Sequence, residues 1–88
     1  MIEQPATVTN PLGVHARPAA QLVRLSNTFE SEIQLIKDGV PVNGKSIMGV
    51  MMLAAECGST ILVRAEGSDA EAAVTALTAL ITSGFGES

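Results

Sequence analysis

The strongest constraint on the fold of this 88-residue chain is its alternation of short strand-like and helix-like segments, with no internal repeat. Residues 2–9 alternate apolar and polar side chains, as a half-buried strand does, and Pro5 favours a position at the edge of a sheet. Residues 16–27 carry apolar side chains at helical spacing. The first third of the chain therefore predicts a strand followed by a helix.

The middle of the chain predicts a hairpin and a further strand. Residues 31–37 and 40–42 are short β-branched runs separated by Asp38–Gly39, a dipeptide that tolerates the positive φ of a tight turn. After a break at Gly58–Ser59, residues 60–66 alternate again, which favours a half-buried strand.

Two more helices are indicated by their boundaries. Residues 47–55 follow Ser46, a favourable N-cap, and are apolar almost all the way round. In the last helix, Ser68 and Glu71 have the spacing of a capping box and Gly84 supplies the stop. The apolar stripe of that helix comprises Val74, Leu77, Leu80 and Ile81.

The predicted order is β-α-β-β-α-β-α, and residues 1–88 are expected to form a single domain. Four strands and three helices that each bury one face suggest an α+β fold. We expect an open-faced β-sandwich: a four-stranded antiparallel sheet with the three helices on one face. The uncovered face is expected to carry Thr7, Gln34, Arg64 and Glu66.

Composition excludes several classes of protein. The net charge is −4 with only five Lys and Arg, which argues against nucleic acid as a direct partner. No apolar run is long enough for membrane insertion. The single Cys57 has no partner for an internal disulfide and is expected to be a small buried filler. With no leader-like segment, these features predict a cytoplasmic protein.

The residues most suggestive of chemistry lie in the run Asn10–Ala20, which contains the only histidine, His15. If His15 is the N-cap of the first helix, the backbone N–H groups of Ala16 and Arg17 are free to bind an anion, and the helix dipole favours one. The ring nitrogen is then suited to accept a phosphoryl group, with the Arg17 guanidinium as its counter-ion. Gly13 would allow the tight entry that leaves the ring exposed.

Positive charge is concentrated near this segment. Arg24 lies two helical turns after Arg17 on the same face, and Lys45 could complete a positive rim on an otherwise acidic chain. Such a rim would favour acidic or phosphorylated partners.

The second predicted helix has more apolar side chains than one sheet can bury. If Val50 and Leu53 point inward, Ile47, Met48 and Met51 fall on another side. Methionine is flexible and suits a surface that docks on differently shaped partners. The alternative interpretation is that all of these residues belong to the core.

The motifs GVHARPAAQLV around His15 and GKSIMGVMML around Ser46 closely resemble those of the histidine-containing phosphocarrier (HPr) family of the bacterial phosphotransferase system, over essentially the whole chain. The resemblance implies the same open-faced sandwich. It also implies a carrier, active in sugar transport, that accepts phosphate from phosphorylated enzyme I and passes it to enzyme IIA domains. In that family the patch on the second helix docks on both partners, and the arginine can swing towards the partner during transfer.

The resemblance also implies a regulatory site. The context KSIMGVM is similar to that of relatives whose serine, here Ser46, is phosphorylated by an HPr kinase/phosphorylase. A phosphate there would place a dianion beside the docking patch and slow transfer at His15. The segment LITSGFGES resembles instead the nitrogen-related branch of the family, so the two halves of the chain indicate different branches.

A second function class stays open on sequence grounds alone: a regulatory docking module that acts through the Met-rich helix, with His15 incidental. One histidine and one cysteine offer too few ligands for a metal site. A catalytic triad and a glycine-rich nucleotide loop are also missing, so we expect no cofactor and no enzymatic activity of its own.

Overall fold

The computed structural model describes residues 1–87 and confirms the predicted order of elements and the α+β class. The elements are β1 (Ile2–Thr7), α1 (Ala16–Ser26), β2 (Glu32–Lys37), β3 (Val40–Asn43), α2 (Ile47–Met52), β4 (Thr60–Glu66) and α3 (Ala70–Thr82), followed by a short 3-10 turn over Gly84–Gly86.

The four strands form one antiparallel sheet in the order β1-β4-β2-β3. Strand β1 lies at an edge, as Pro5 predicts, since proline has no N–H to offer a second neighbour. The hairpin between β2 and β3 turns at Asp38 and Gly39, whose φ angles of 52° and 79° are those of a tight primed turn.

One face of the sheet forms the core together with the helices. Ile61 and Val63 of β4 are fully buried, and so are Leu22 of α1, Leu77 and Ile81. Full burial of each such side chain contributes roughly 1.5–3 kcal/mol to stability. The opposite face is exposed at its predicted polar positions: Thr7, Gln34 and Glu66 are exposed and Arg64 is half-exposed.

Two predicted boundaries were too long. Strand β1 ends at Thr7 rather than at residue 9, although Val8 is still bonded to the turn before β4. Helix α2 ends at Met52 rather than at residue 55, because Ala54 adopts a φ of +49° and turns the chain out of the helix.

The predicted capping box at the start of α3 was wrong. The N-cap is Asp69 rather than Ser68, and its side chain makes no capping hydrogen bond. The Asp69 carboxylate instead accepts from the backbone N–H groups of Glu30 and Ser31, both at 2.9 Å, and from the Ser31 hydroxyl. A contact between distant segments has therefore replaced the local one that the sequence suggested.

Cys57 was also wrongly assigned, since its side chain is exposed rather than buried. It lies in the turn between α2 and β4, where its thiol approaches the Thr9 carbonyl at 3.7 Å. Within residues 1–87, none of the helices has both the length and the apolar content needed to cross a bilayer.

Candidate functional site

His15 is the N-cap of α1, as the sequence predicts. Its backbone is extended, with φ −89° and ψ −165°, and its carbonyl accepts the Ala19 N–H at 2.9 Å. The imidazole makes no capping hydrogen bond to the helix, and 36% of the side chain is exposed. The ring is thus held at the helix start while staying accessible from solution.

The loop before His15 is pinned to the turn that follows α2. The Val14 N–H donates to the Ala55 carbonyl at 2.7 Å. Gly13 has a φ of +67°, and a Cβ there would collide with the same carbonyl. Only glycine meets both requirements, so this position fixes how the chain enters α1.

The first two residues of α1 offer unused donors. In residues 1–87, no hydrogen bond is made by the backbone N–H of Ala16 or of Arg17, and both residues are exposed. Pro18 follows in the first turn, where its missing N–H costs little. The helix start next to the ring is therefore available to an anion.

Sequence reasoning missed Glu87, which contacts the ring directly. The Nε2 atom of His15 lies 3.0 Å from one carboxylate oxygen of Glu87 and 3.2 Å from the other. The same carboxylate accepts from the Asn10 side-chain amide at 3.0 Å. The residues are 72 positions apart, so local patterning gave no signal for this contact.

The pKa of the Glu87 carboxyl is lowered from its ordinary value. The main cause is the hydrogen bond from His15; partial burial opposes the shift, and the Asn10 hydrogen bond and the charges of His15 and Arg17 support it. Glu87 is therefore ionised at neutral pH and can only accept hydrogen bonds. It follows that Nε2 carries a proton and that Nδ1 is left with the lone pair of the neutral ring.

The predicted positive rim comprises Arg17, Arg24 and Lys45. Arg17 and Arg24 are both exposed along α1, and neither makes an ion pair in the part of the chain that the structure describes. Arg17 lines a recess of about 520 Å³ together with Leu12 and Glu87. The Lys45 ammonium donates to the Phe29 carbonyl at 2.7 Å, three residues after the end of α1 that is farther from His15.

Helix α2 and the residue after it, Leu53, divide as predicted into a buried and an exposed side. Val50 and Leu53 are buried, whereas Ile47, Met48 and Met51 are 44%, 70% and 42% exposed. We call these three exposed side chains, together with Met52 at 75%, the α2 patch.

Ser46 caps the same helix. Its hydroxyl accepts the Gly49 N–H at 3.2 Å, which confirms its predicted structural role. Gly49 is closely packed, since a Cβ there would lie 3.1 Å from the Asn43 carbonyl oxygen.

The α2 patch lies alongside α1. The Asn27 amide, after the last residue of α1, donates to the Lys45 carbonyl just before α2, while the turn after α2 contacts the loop that enters α1. The two helices contact each other and run in opposite directions. The end of α2 that carries Met51 and Met52 is therefore the end nearer His15.

In the described chain, residues 1–87, no group of three or more His, Cys, Asp or Glu side chains is arranged to hold a metal ion.

Comparisons with known proteins identify the family to which the chain belongs. The family described as "PTS HPr component phosphorylation site" matches residues 2–83. The phosphocarrier protein HPr of Cupriavidus necator is 46% identical over 87 residues, covering 99% of this chain and 98% of the relative. The phosphocarrier protein NPr of Shewanella violacea is 36% identical, covering 98% of this chain and 94% of the relative.

A solved structure of HPr from Thermoanaerobacter tengcongensis matches the fold with a TM-score of 0.95 and 45% identity, covering 100% of this chain and 99% of that one. The family match spans most of the chain, and the relatives agree with it in fold and in length. The chain belongs to the HPr family and is a phosphocarrier of the phosphotransferase system.

Proposed function

We propose that His15 is the residue that carries the phosphoryl group, received from phosphorylated enzyme I and delivered to enzyme IIA domains. The observation that carries this proposal is the placement of a half-exposed imidazole at a helix start whose first two N–H groups are unused. His15 is also the only histidine of the chain, and it lies within the family match.

The chemistry follows from the ring's hydrogen bonding. With the proton held on Nε2, the lone pair of Nδ1 attacks phosphorus and forms the P–N bond. The bond between phosphorus and the donor breaks, and its electron pair returns to the donor. The ring gains positive charge and keeps its Nε2 proton, so no general base is needed.

The groups around His15 suit a transient anion. The N–H groups of Ala16 and Arg17, together with the positive end of the helix dipole, would stabilise the phosphoryl oxygens. The Arg17 guanidinium is exposed and unpaired within residues 1–87, so it is free to pair with the phosphoryl group or with a group on the partner.

We propose that both partners dock on the α2 patch. The patch is apolar, exposed and on the helix next to the site, and its methionines can adapt to surfaces of different shape. Arg24 adds positive charge on the neighbouring helix and would favour acidic partner surfaces. Lys45 keeps its positive charge and two further N–H donors while it bonds the Phe29 carbonyl, so it can also contribute.

Ser46 is proposed as a regulatory phosphorylation site for an HPr kinase/phosphorylase. It precedes the exposed residues Ile47 and Met48, so a phosphate would add a dianion at the edge of the docking patch. The phosphate would act on partner binding rather than directly on the His15 ring, because Ser46 lies at the end of α2 remote from His15. A phosphate at the N-cap is compatible with the helix dipole and need not unfold α2.

The proposal treats residues 1–88 as a single carrier domain in the cytoplasm. It is supported by one shared core and by relatives of nearly the same length. The higher identity to the HPr of C. necator than to the NPr of S. violacea favours the sugar branch of the family.

The test is transfer of label from phosphoenolpyruvate. With purified enzyme I and labelled phosphoenolpyruvate, the wild-type protein should acquire an acid-labile, base-stable modification, and His15→Ala should abolish it. Arg17→Ala should slow labelling while leaving the site of modification unchanged. A label that persists in His15→Ala would remove the proposal.

The same assay addresses the alternative and the regulatory site. A docking module would bind enzyme I without acquiring label. In a separate reaction with an HPr kinase and ATP, Ser46 should acquire an acid-stable phosphate that Ser46→Ala prevents.

A further inference from the structure

The segment after α3 returns to the site and contacts His15. We propose that Gly84–Glu87 is a positioning strap, in which Glu87 holds the proton on Nε2 of His15 and fixes the orientation of the ring. The consequence for transfer rests on the proposed function, whereas the positioning itself does not.

The strap is anchored in the core through Phe85. The Phe85 side chain is only 4% exposed, although its backbone has a φ of +60° that a non-glycine residue rarely adopts. Gly84 and Gly86 on either side also have positive φ. Burial of the Phe85 phenyl ring holds this unfavourable backbone in place and thereby determines where Glu87 lies.

Two polar contacts connect the strap to both sides of the site. The Gln21 side chain on α1 donates to the Phe85 carbonyl at 3.3 Å. Asn10, which is 2% exposed, donates to Glu87 at 3.0 Å and to the Gly13 carbonyl at 2.6 Å. The strap is thus attached to α1 and to the loop that positions His15, so Glu87 and the ring share one framework.

The chemistry of a carboxylate gives the strap its effect. An ionised carboxylate only accepts hydrogen bonds, so the ring nitrogen that faces Glu87 must be protonated. This directs the lone pair of the neutral ring to Nδ1 and opposes rotation of the ring. His15, Asn10 and Arg17 are the groups that act on the Glu87 carboxylate, and all three favour its ionised form.

Glu87 also faces the charge that transfer would create. A ring with the phosphoryl group on Nδ1 and a proton on Nε2 is cationic, and a carboxylate 3.0 Å from Nε2 compensates that charge. Glu87 is therefore a positioning residue that acts through His15 and need not touch the phosphoryl group.

The test observes the ring without any donor present. In ¹⁵N-labelled protein, at a pH high enough for a neutral imidazole, the wild type should show a protonated Nε2 whose proton exchanges slowly with water. Glu87→Ala should accelerate that exchange by about tenfold or more, as expected for loss of a charge-assisted hydrogen bond. Glu87→Gln keeps an acceptor oxygen and should give an intermediate rate.

Controls separate positioning from general destabilisation. Glu66→Ala removes an exposed carboxylate on the opposite face of the sheet and should leave the ring signals unchanged. Phe85→Ala should release the strap and reproduce the effect of Glu87→Ala. If Phe85→Ala does not fold, Glu87→Ala alone decides, because Glu87 is not part of the core.

The outcome for this inference is independent of the labelling result. Exchange at Nε2 that is equally slow in the wild type and in Glu87→Ala overturns the strap, even if His15 is labelled normally. If positioning matters for transfer, Glu87→Ala should also lower kcat for labelling by enzyme I with little change in KM.

Discussion

At the scale of single residues, Asp69 shows how one carboxylate organises two distant parts of the backbone. It precedes α3 and accepts hydrogen bonds from Glu30 and Ser31, just before β2. These bonds lower the pKa of Asp69 from its ordinary value of 3.8, chiefly through the Ser31 hydroxyl. Because the folded-state pKa is depressed, the stabilisation is fully present above the unfolded-state pKa and is lost as pH falls through the folded-state pKa.

We therefore expect Asp69→Asn to lower the midpoint of thermal unfolding at neutral pH, since the amide has one acceptor oxygen where the carboxylate has two. The gap between wild type and variant should shrink once the pH falls below 3.8, the ordinary value for an aspartate. Thermal melts of both proteins at neutral pH and below pH 3.8 measure this difference in midpoint. Asp38→Asn, in the exposed hairpin turn, is the control and should change the midpoint little; a gap for Asp69→Asn that is independent of pH would contradict the linkage.

At the scale of elements, the loop before α1 and the turn after α2 are joined at Gly13. An alanine there would adopt the unfavourable positive φ and also collide with the Ala55 carbonyl. Gly39 is a matched control, because its φ of +79° is similar but a Cβ there would contact nothing within 4 Å. Comparing the two alanine variants separates backbone strain from collision.

We expect Gly39→Ala to lower the free energy of unfolding by about 1–2 kcal/mol, the cost of the left-handed conformation. Gly13→Ala should lower it by roughly 1–3 kcal/mol more, because overpacking adds to the strain. Denaturant unfolding measures both values. Equal losses would mean that the loop moves away from Ala55 at no cost.

Elements whose signals are local could be predicted from the sequence. The Asp38–Gly39 turn and the Ser46 cap depend on residues within a few positions of each other, and both were predicted correctly. The features that were missed depend on distant partners. Asp69 is 38 positions from Ser31, and the sequence gives no pattern that pairs them.

The same division applies to the candidate site. His15 and the free N–H groups beside it follow from a helix start, which a motif can reveal. The contact with Glu87 requires α3 to bring the chain back across the molecule, so only the folded structure reveals it. The end of α2 was predicted three residues too late, because the positive φ of Ala54 is set by packing rather than by residue type.

At the scale of the whole molecule, the His15 ring and the apolar α2 patch lie close together on an acidic protein. Helices α1 and α2 are in contact, and α2 ends near the loop that carries His15. Among residues 1–87, Arg17 and Arg24 present unpaired positive charge beside this surface. The chain as a whole has a net charge of −4, so the rest of its surface would repel acidic partners and docking in any other orientation is disfavoured.

The docking claim predicts that a charge in the α2 patch weakens binding without unfolding the protein. Met51 is 42% exposed, so Met51→Asp should leave the fold intact but place an unpaired carboxylate in an apolar interface. We expect affinity for enzyme I to fall by about tenfold or more, as for a residue central to an interface. Ala72→Asp, on the exposed side of α3, makes a similar change away from the patch and should leave binding unaltered. Calorimetric titration of both variants measures the difference, and equal affinities would place the docking surface elsewhere on the molecule.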